Sequence, residues 1–255
     1  MSVRIRSLFS GSAKGAGGRV LRPSRLVTGL FEVLARLRGA RALHPRGVFV
    51  GGELTVAAQA RLPVPAGTRP VVARLSKGVG TGGGRADVLG LAVRVPPWSG
   101  VDRPWDLTLS STGGARFTWL LPVLARHWGR ASFGSIVPYR LRGRRVWLVA
   151  VPRDLDPDAP ASLDWVARRV GERPARFTLH VVGAGRSGGK VADLTLHTVL
   201  VGAHVDEVCF DPVVNCPPEM PLWPRWLRRL RLFAYRGSRR GHHAPEAALH
   251  ALPRP

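Results

Sequence analysis

Eight β-rich runs joined by short turns constrain the fold of this chain more than any other feature. Four runs lie within residues 47–111 and four within residues 135–199. Each is rich in β-branched, leucine or aromatic residues, and Gly or Pro marks most of the turns between them. Short connections favour antiparallel neighbours. We therefore predict an α+β protein built on an eight-stranded antiparallel β-barrel with flanking helices, of the kind that holds one ligand at its rim or mouth.

Local signals add a hairpin and several helices. The pair Arg142-Gly143 is typical of a two-residue hairpin turn, and Ser162 is a typical N-cap of a helix. A helical pattern also covers residues 24–38, and a Pro-led helix is predicted to end near Tyr235. Residues 112–133 fit either a helix or an irregular excursion.

The chain is strongly basic, with 39 Lys plus Arg against 16 Asp plus Glu and a formal net charge of +23. Such a balance attracts nucleic acid, anionic membranes or acidic ligands. The arginines are spread along the chain without the interleaved aromatics of a single-strand platform, so we expect no specific nucleic-acid partner. Trp and Arg alternate in residues 223–233, an arrangement typical of a membrane-surface helix, so peripheral membrane contact stays open.

The remaining composition narrows location and redox chemistry. No apolar run approaches the length of a membrane span, and the N-terminus lacks the apolar core of a secretory signal. We therefore expect a cytoplasmic protein. The two cysteines, Cys209 and Cys216, match no metal-binding or redox spacing.

An arginine precedes Tyr235 by four residues, which places both side chains on one face of the predicted helix. The guanidinium of Arg231 would favour the ionised form of the phenol. A phenolate is a hard axial ligand for ferric heme, as in catalase. Tyr235 is therefore a candidate metal ligand, and Arg231 a candidate cofactor-binding residue.

Further short motifs precede this pair in a fixed order. They are Arg41-Ala42-Leu43-His44, Arg74-Leu75-Ser76, Trp105-Asp106-Leu107, Phe210-Asp211-Pro212 and Pro217-Pro218. With Arg231 to Tyr235, they resemble the motifs of the heme catalase superfamily in the order and near spacing of that family. The resemblance covers about residues 41–243. It implies a barrel of catalase type with a C-terminal heme-ligand helix.

The resemblance also implies the domain organisation. We expect a flexible basic tail over residues 1–22, a single catalase-like heme domain over residues 23–243, and a disordered tail over residues 244–255. The chain is far shorter than ordinary catalases and lacks room for their long wrapping segment. We expect a minimal, catalase-related protein that forms a homo-oligomer.

By the same resemblance, the cofactor is heme b with its iron bound by Tyr235. Arg41 and Arg74 would pair with the heme propionates, because guanidinium binds carboxylates in a bidentate manner. His44 would be the distal acid and base that takes a proton from bound peroxide and returns it to the leaving oxygen. Ser76 would hydrogen-bond the other imidazole nitrogen and fix its tautomer.

One position departs from the family pattern. Ser110 stands where catalases carry the distal Asn, and a hydroxyl reaches less far than a carboxamide. Ser110 is therefore a candidate catalytic residue of altered reach. We predict a heme peroxidase that reduces organic hydroperoxides or hydrogen peroxide with a small-molecule reductant.

Two alternatives remain open at this stage. The first keeps the heme but rearranges a fatty-acid hydroperoxide, as allene-oxide-synthase-like relatives of this fold do. The second is a heme-free basic barrel that binds membranes or polyanions.

Overall fold

A computed structural model describes residues 46–113, 121–184, 188–202 and 208–223. These residues form nine strands and one helix, α1, at Leu163–Glu172. The strands are β1 Arg46–Val56, β2 Gly67–Lys77, β3 Leu89–Val95, β4 Trp105–Thr112, β5 Ser132–Gly134, β6 Tyr139–Leu141, β7 Arg144–Pro152, β8 Ala175–Gly183 and β9 Gly188–Leu200. The helices predicted over residues 24–38 and up to Tyr235 lie outside the described residues, as do the two predicted tails, whose bounds stay predictions.

The strands close into an antiparallel barrel. They follow the order β5-β4-β3-β2-β1-β9-β8-β7-β6, and a further pairing between β5 and β7 closes the ring. Both β5 and β6 lie along the same edge of β7, so together they fill one of eight positions around the barrel. The predicted eight-stranded antiparallel barrel is therefore confirmed.

The fifth position of the barrel differs from the sequence prediction. We predicted one continuous strand over residues 135–141, but β5 begins earlier and pairing stops between β5 and β6. Ile136 has a left-handed backbone with φ 50°, and Pro138 has no N–H to donate. These two residues interrupt the ladder. For residues 112–133 we predicted either a helix or an irregular excursion. The described residues 121–131 are irregular and form no helix.

Two local predictions hold in the structure. Arg142 and Gly143 have φ of 49° and 79°, the paired left-handed conformations of a type I′ hairpin turn. The hydroxyl of Ser162 accepts a hydrogen bond from the backbone N–H of Trp165 at 3.2 Å, which caps α1. The helix buries Val166 and Val170 against the barrel.

The barrel interior is filled by apolar side chains. The cavity described at its centre measures about 10 Å³. Leucines from several strands and Trp105 line it. A space of that size approaches the minimum for one water molecule, so it cannot hold a cofactor. A larger ligand must bind at the rim or on the outer face of the barrel.

Within the part of the chain that the structure describes, no helix is long and apolar enough to cross a membrane.

A glycine pair tests the packing of β1 against β9. A β-carbon added at Gly52 would overlap the backbone carbonyl oxygen of Thr195, whereas one added at Gly189 would meet nothing within 4 Å. We expect Gly52→Ala to lower the free energy of unfolding by about 2–3 kcal/mol, because backbone cannot move aside cheaply. Gly189→Ala should change it by less than about 0.5 kcal/mol. Urea denaturation measures both, and equal midpoints would contradict the close approach of β1 and β9.

Candidate functional site

A row of small residues crosses the outer face of strands β1 to β5. The row runs Gly47, Ser76, Gly90, Ser110 and Gly134, and each member is paired with the next across the sheet. The residues that precede Ser76 and Ser110 and follow Gly90 are leucines buried in the core. Because side chains alternate along a strand, the row itself points away from the barrel interior. We call this row the outer shelf.

The two serines of the outer shelf stand on either side of Gly90. Neighbouring strands are about 4.8 Å apart, so the backbones of Ser76 and Ser110 are separated by roughly 10 Å. Gly90 has no side chain to fill the space between them. Ser76 is buried and Ser110 is partly exposed. Gly90 is buried as well, so the two serines face the same side of the sheet across a covered glycine.

A cation lies at one end of the shelf. Arg74 is two residues before Ser76 on β2 and faces the same side of the sheet. Its guanidinium carbon lies 5.5 Å from the ring centroid of Phe49, within the range of a cation–π contact. The guanidinium also occupies the space where a side chain at Gly47 would stand, since an added β-carbon would come within 2.7 Å of it. The absence of a side chain at Gly47 therefore permits this position of Arg74. A guanidinium there suits a ligand that bears a carboxylate.

The segment 208–216 covers part of this outer face. The ring of Phe210 stacks on Phe49 with centroids 6.3 Å apart. On its other side, the guanidinium of Arg94 lies 5.4 Å from the Phe210 centroid. An aromatic pair between two arginines thus joins β1 and β3 to the C-terminal part of the described chain.

The buried carboxylate of Asp106 holds that segment in place. Arg94 donates two hydrogen bonds to it, each 2.7 Å long. The backbone N–H of Asp211 and the side-chain amide of Asn215 each donate one more at 2.8 Å. Burial alone lowers the pKa of Arg94, but the hydrogen bonds and charge of Asp106 raise it above its ordinary value. The charge of Asp106 is therefore compensated by donors from β3 and from the segment itself.

A second buried charge fixes the Gly-rich loop between β2 and β3. The ammonium of Lys77 donates to the carbonyls of Gly83 and Arg85 at 2.9 Å each and to that of Ala161 at 2.7 Å. All three of its protons are bound. Burial lowers the pKa of Lys77 below its ordinary value. The loop is thus tied to the residue that follows Ser76.

Asp87 secures the other end of the same loop. Its carboxylate accepts hydrogen bonds from the backbone N–H groups of Val79 and Thr81 and from the Thr81 hydroxyl, each 2.8 Å long. Burial raises the pKa of Asp87, but these hydrogen bonds lower it by a larger amount. The pKa of Asp87 therefore lies below its ordinary value. Lys77 and Asp87 together hold the ends of β2 and β3, where Ser76 and Gly90 lie.

The structure brings together three of the predicted site residues. Arg74, Ser76 and Ser110 share the outer face of β2 and β4, although 34 residues separate the two serines in sequence. Their chemical roles stay predictions. The other four predicted residues lie outside the described residues: Arg41, His44, Arg231 and Tyr235.

The described histidines, cysteines and carboxylates form no metal site. Across residues 46–113, 121–184, 188–202 and 208–223, no three of these side chains are grouped as metal ligands. His180 and His197 lie on β8 and β9, away from the outer shelf. The Nδ1 atom of the exposed His197 is 2.8 Å from the Thr198 hydroxyl.

Sequence reasoning missed the anchoring role of three residues. Asp106 was noted only as part of a motif, and neither Asn215 nor Lys77 was singled out. Lys77 follows Val71, Ala73 and Leu75 at alternating positions of its strand, and this placement among inward-facing apolar residues was the available signal. A buried lysine requires several acceptors. No sequence pattern pairs Asp106 with residues more than a hundred positions away.

No family model matches the sequence, and no curated protein matches it. Among solved structures, a fungal catalase matches with a TM-score of 0.58 at 13% sequence identity, over 93% of this chain. The chain has a catalase-like fold. The match covers 66% of the length of that enzyme.

The Asp106 cluster of the catalase-like barrel yields a stability test. Asp106→Asn removes the charge that holds Arg94, so we expect the free energy of unfolding to fall by about 3 kcal/mol. The matched control is Asp158→Asn, which breaks an ion pair to Arg130 whose side chains are 62% and 70% exposed. That change should cost less than about 1 kcal/mol. Urea denaturation compares the two, and a similar small loss in both would disprove the anchoring role of Asp106.

Proposed function

We propose that this protein is a heme-dependent peroxidase that reduces organic hydroperoxides or hydrogen peroxide. The observation that supports this best is the outer shelf, where Ser76 and Ser110 flank Gly90 beside Arg74 on a catalase-like barrel. The reaction splits the O–O bond of ROOH and, with two electrons and two protons, yields ROH and water. A small-molecule reductant supplies the electrons, and heme, when bound, supplies the redox-active iron.

The described residues fit a planar group that carries carboxylates. Gly90 and Ala92 present little or no side chain on the outer face, which suits a flat ring system. Arg74 supplies a guanidinium on the same face for a propionate, and Arg41 would supply another. Tyr235 would bind the iron, with Arg231 favouring its phenolate form.

His44 would hold and move the proton. It precedes Gly47 by three residues, and Gly47 is the partner of Ser76 in the β1–β2 ladder. Three residues span at most about 11 Å, so covalent geometry keeps His44 within reach of the shelf. In the proposed mechanism its imidazole takes a proton from the peroxide and delivers it to the leaving oxygen. Ser76 positions that imidazole through a hydrogen bond.

Ser110 favours bulky peroxides over hydrogen peroxide. Its hydroxyl offers one short hydrogen bond in place of the longer carboxamide of an Asn. The smaller side chain leaves more space above Gly90, its direct neighbour on β3. An alkyl group attached to the peroxide can occupy that space. We therefore expect peroxidase turnover of organic hydroperoxides to exceed dismutation of hydrogen peroxide.

The heme ligand is tested by absorption spectroscopy. Protein produced with added heme should show a ferric high-spin Soret band, and Tyr235→Phe should abolish it because the phenolate is lost. Tyr139→Phe is the matched control, since Tyr139 is the other tyrosine of the chain and is buried in the barrel. That variant should retain the band. A colourless wild-type protein would refute the proposal.

The proton-transfer role of His44 is tested by steady-state kinetics. His44→Ala should lower kcat/KM for an alkyl hydroperoxide by about 10²–10⁴-fold while the Soret band persists, because only acid–base catalysis is removed. His197→Ala on β9 is the control and should leave kcat/KM unchanged. Full turnover in His44→Ala would overturn the assignment.

The substrate preference is tested at Ser110. Ser110→Asn should raise the ratio of hydrogen peroxide to alkyl hydroperoxide turnover by about tenfold, because the carboxamide fills the space above Gly90. The matched control is Thr178→Asn, which adds an amide on β8, four barrel positions away from β3. It should leave the ratio within about twofold of wild type. An unchanged ratio in Ser110→Asn would show that the peroxide does not bind beside this residue.

A further inference from the structure

The hairpin between β6 and β7 carries a concentration of positive charge on the surface of the barrel. Arg140, Arg142, Arg144 and Arg145 fall within six residues, and all four are exposed. We call residues 140–145 the arginine hairpin. None of the four forms a salt bridge with a carboxylate of the described residues.

The surrounding sequence contains no acidic residues that could balance this charge. From residue 107 to residue 153 the chain has neither Asp nor Glu. The segment packed beside the hairpin, residues 216–223, contributes one carboxylate, Glu219, which makes no salt bridge within the described residues. The arginine hairpin is thus a compact cationic surface.

Local structure would favour other residues at two points of this hairpin. Arg140 and Arg145 are direct partners across the β6–β7 ladder, so their side chains lie on the same face. Like charges in that position repel and destabilise the pair. Arg142 has φ 49°, a left-handed conformation in which Asn or Gly is preferred. Folding alone does not account for arginines here, whereas an external anion would offset their repulsion.

A tryptophan stands at the base of the arginine hairpin. The guanidinium of Arg145 lies 4.8 Å from the ring of Trp223, and the backbone N–H of Trp223 donates to the carbonyl of Pro138 at 2.8 Å. The described chain ends at this point. The sequence continues with Arg225, Trp226, Arg228 and Arg229, so further cations and a further indole follow directly.

We propose that the arginine hairpin and Trp223 form a docking surface for anionic phospholipid membranes. Arginine binds lipid phosphates in a bidentate manner, and tryptophan prefers the headgroup region of a bilayer. The hairpin ends in a two-residue turn, a convex tip that a fluid lipid surface can accommodate. Single-stranded nucleic acid is a less suitable partner, because the hairpin carries no row of aromatic side chains on which bases could stack. Duplex DNA would engage the arginines alone, whereas a bilayer also accommodates the indole of Trp223. This proposal is independent of heme binding.

Vesicle co-sedimentation with the full chain tests the surface. The vesicles contain phosphatidylserine and phosphatidylcholine at about one part to two, with pure phosphatidylcholine as the neutral reference. The test variant is Arg142→Asn with Arg144→Gln, in which Asn suits the left-handed turn and protects the fold. Each arginine near an anionic surface strengthens binding about fivefold, so we expect the variant to bind about thirtyfold more weakly. Its thermal midpoint should equal or exceed that of wild type.

A matched variant separates this surface from net charge. Arg168→Gln with Arg173→Gln removes the same charge from two exposed positions, one on α1 and one directly after it. In sequence, α1 follows the end of β7 that is opposite to the hairpin. It should weaken binding by less than about threefold. Equal losses in the two variants, or wild-type binding that does not depend on phosphatidylserine, would overturn the proposal. A third result would also overturn it: duplex DNA displaces the wild-type protein from the vesicles and binds the hairpin variant more weakly than wild type. That result would assign the surface to nucleic acid.

Discussion

The buried carboxylate of Asp106 determines how the C-terminal part of the described chain meets the barrel. Four donors converge on it, two from Arg94 on β3 and two from the segment 208–216. Because an uncompensated charge in that position would be costly, segment and sheet must stay together. The hydrogen bonds to Asp106 place Phe210 on Phe49, at the edge of the outer shelf. They also direct the chain towards the arginine hairpin, where Trp223 contacts Arg145.

A filled barrel moves the candidate site to the outside. Leucines and Trp105 occupy the interior, and the remaining cavity is too small for a cofactor. The same alternation that points leucines inward points Ser76, Gly90 and Ser110 outward, in register across three strands. Small residues on a sheet face normally cost packing, so a continuous row of them marks a surface on which something else can lie. The proposed heme would lie on that outer face of the catalase-like barrel.

The arginines of this basic chain divide by environment. Arg94 is largely buried and stabilises the fold through Asp106, and Arg74 lies against Phe49 at the shelf. The arginine hairpin, by contrast, makes no salt bridge within the described residues and repels itself across the ladder. Net charge alone therefore says little about function. The clustering of four exposed arginines on one hairpin is what supports the proposed membrane surface.

The sequence by itself determined the elements whose cause is local. β-Rich runs between Gly- or Pro-containing turns predicted eight barrel positions, Arg142-Gly143 predicted the hairpin turn, and Ser162 predicted the start of α1. Strand composition, turn chemistry and capping all depend on a few neighbouring residues. The split into β5 and β6 was missed: Pro138 within the run was a sequence signal for it, whereas the left-handed backbone at Ile136 is visible only in the structure. Tertiary structure alone decided that Ser76 and Ser110 flank Gly90 and that Asp106 binds Asn215. Strand register and burial set those contacts, and both arise only when the barrel closes and distant residues share one surface.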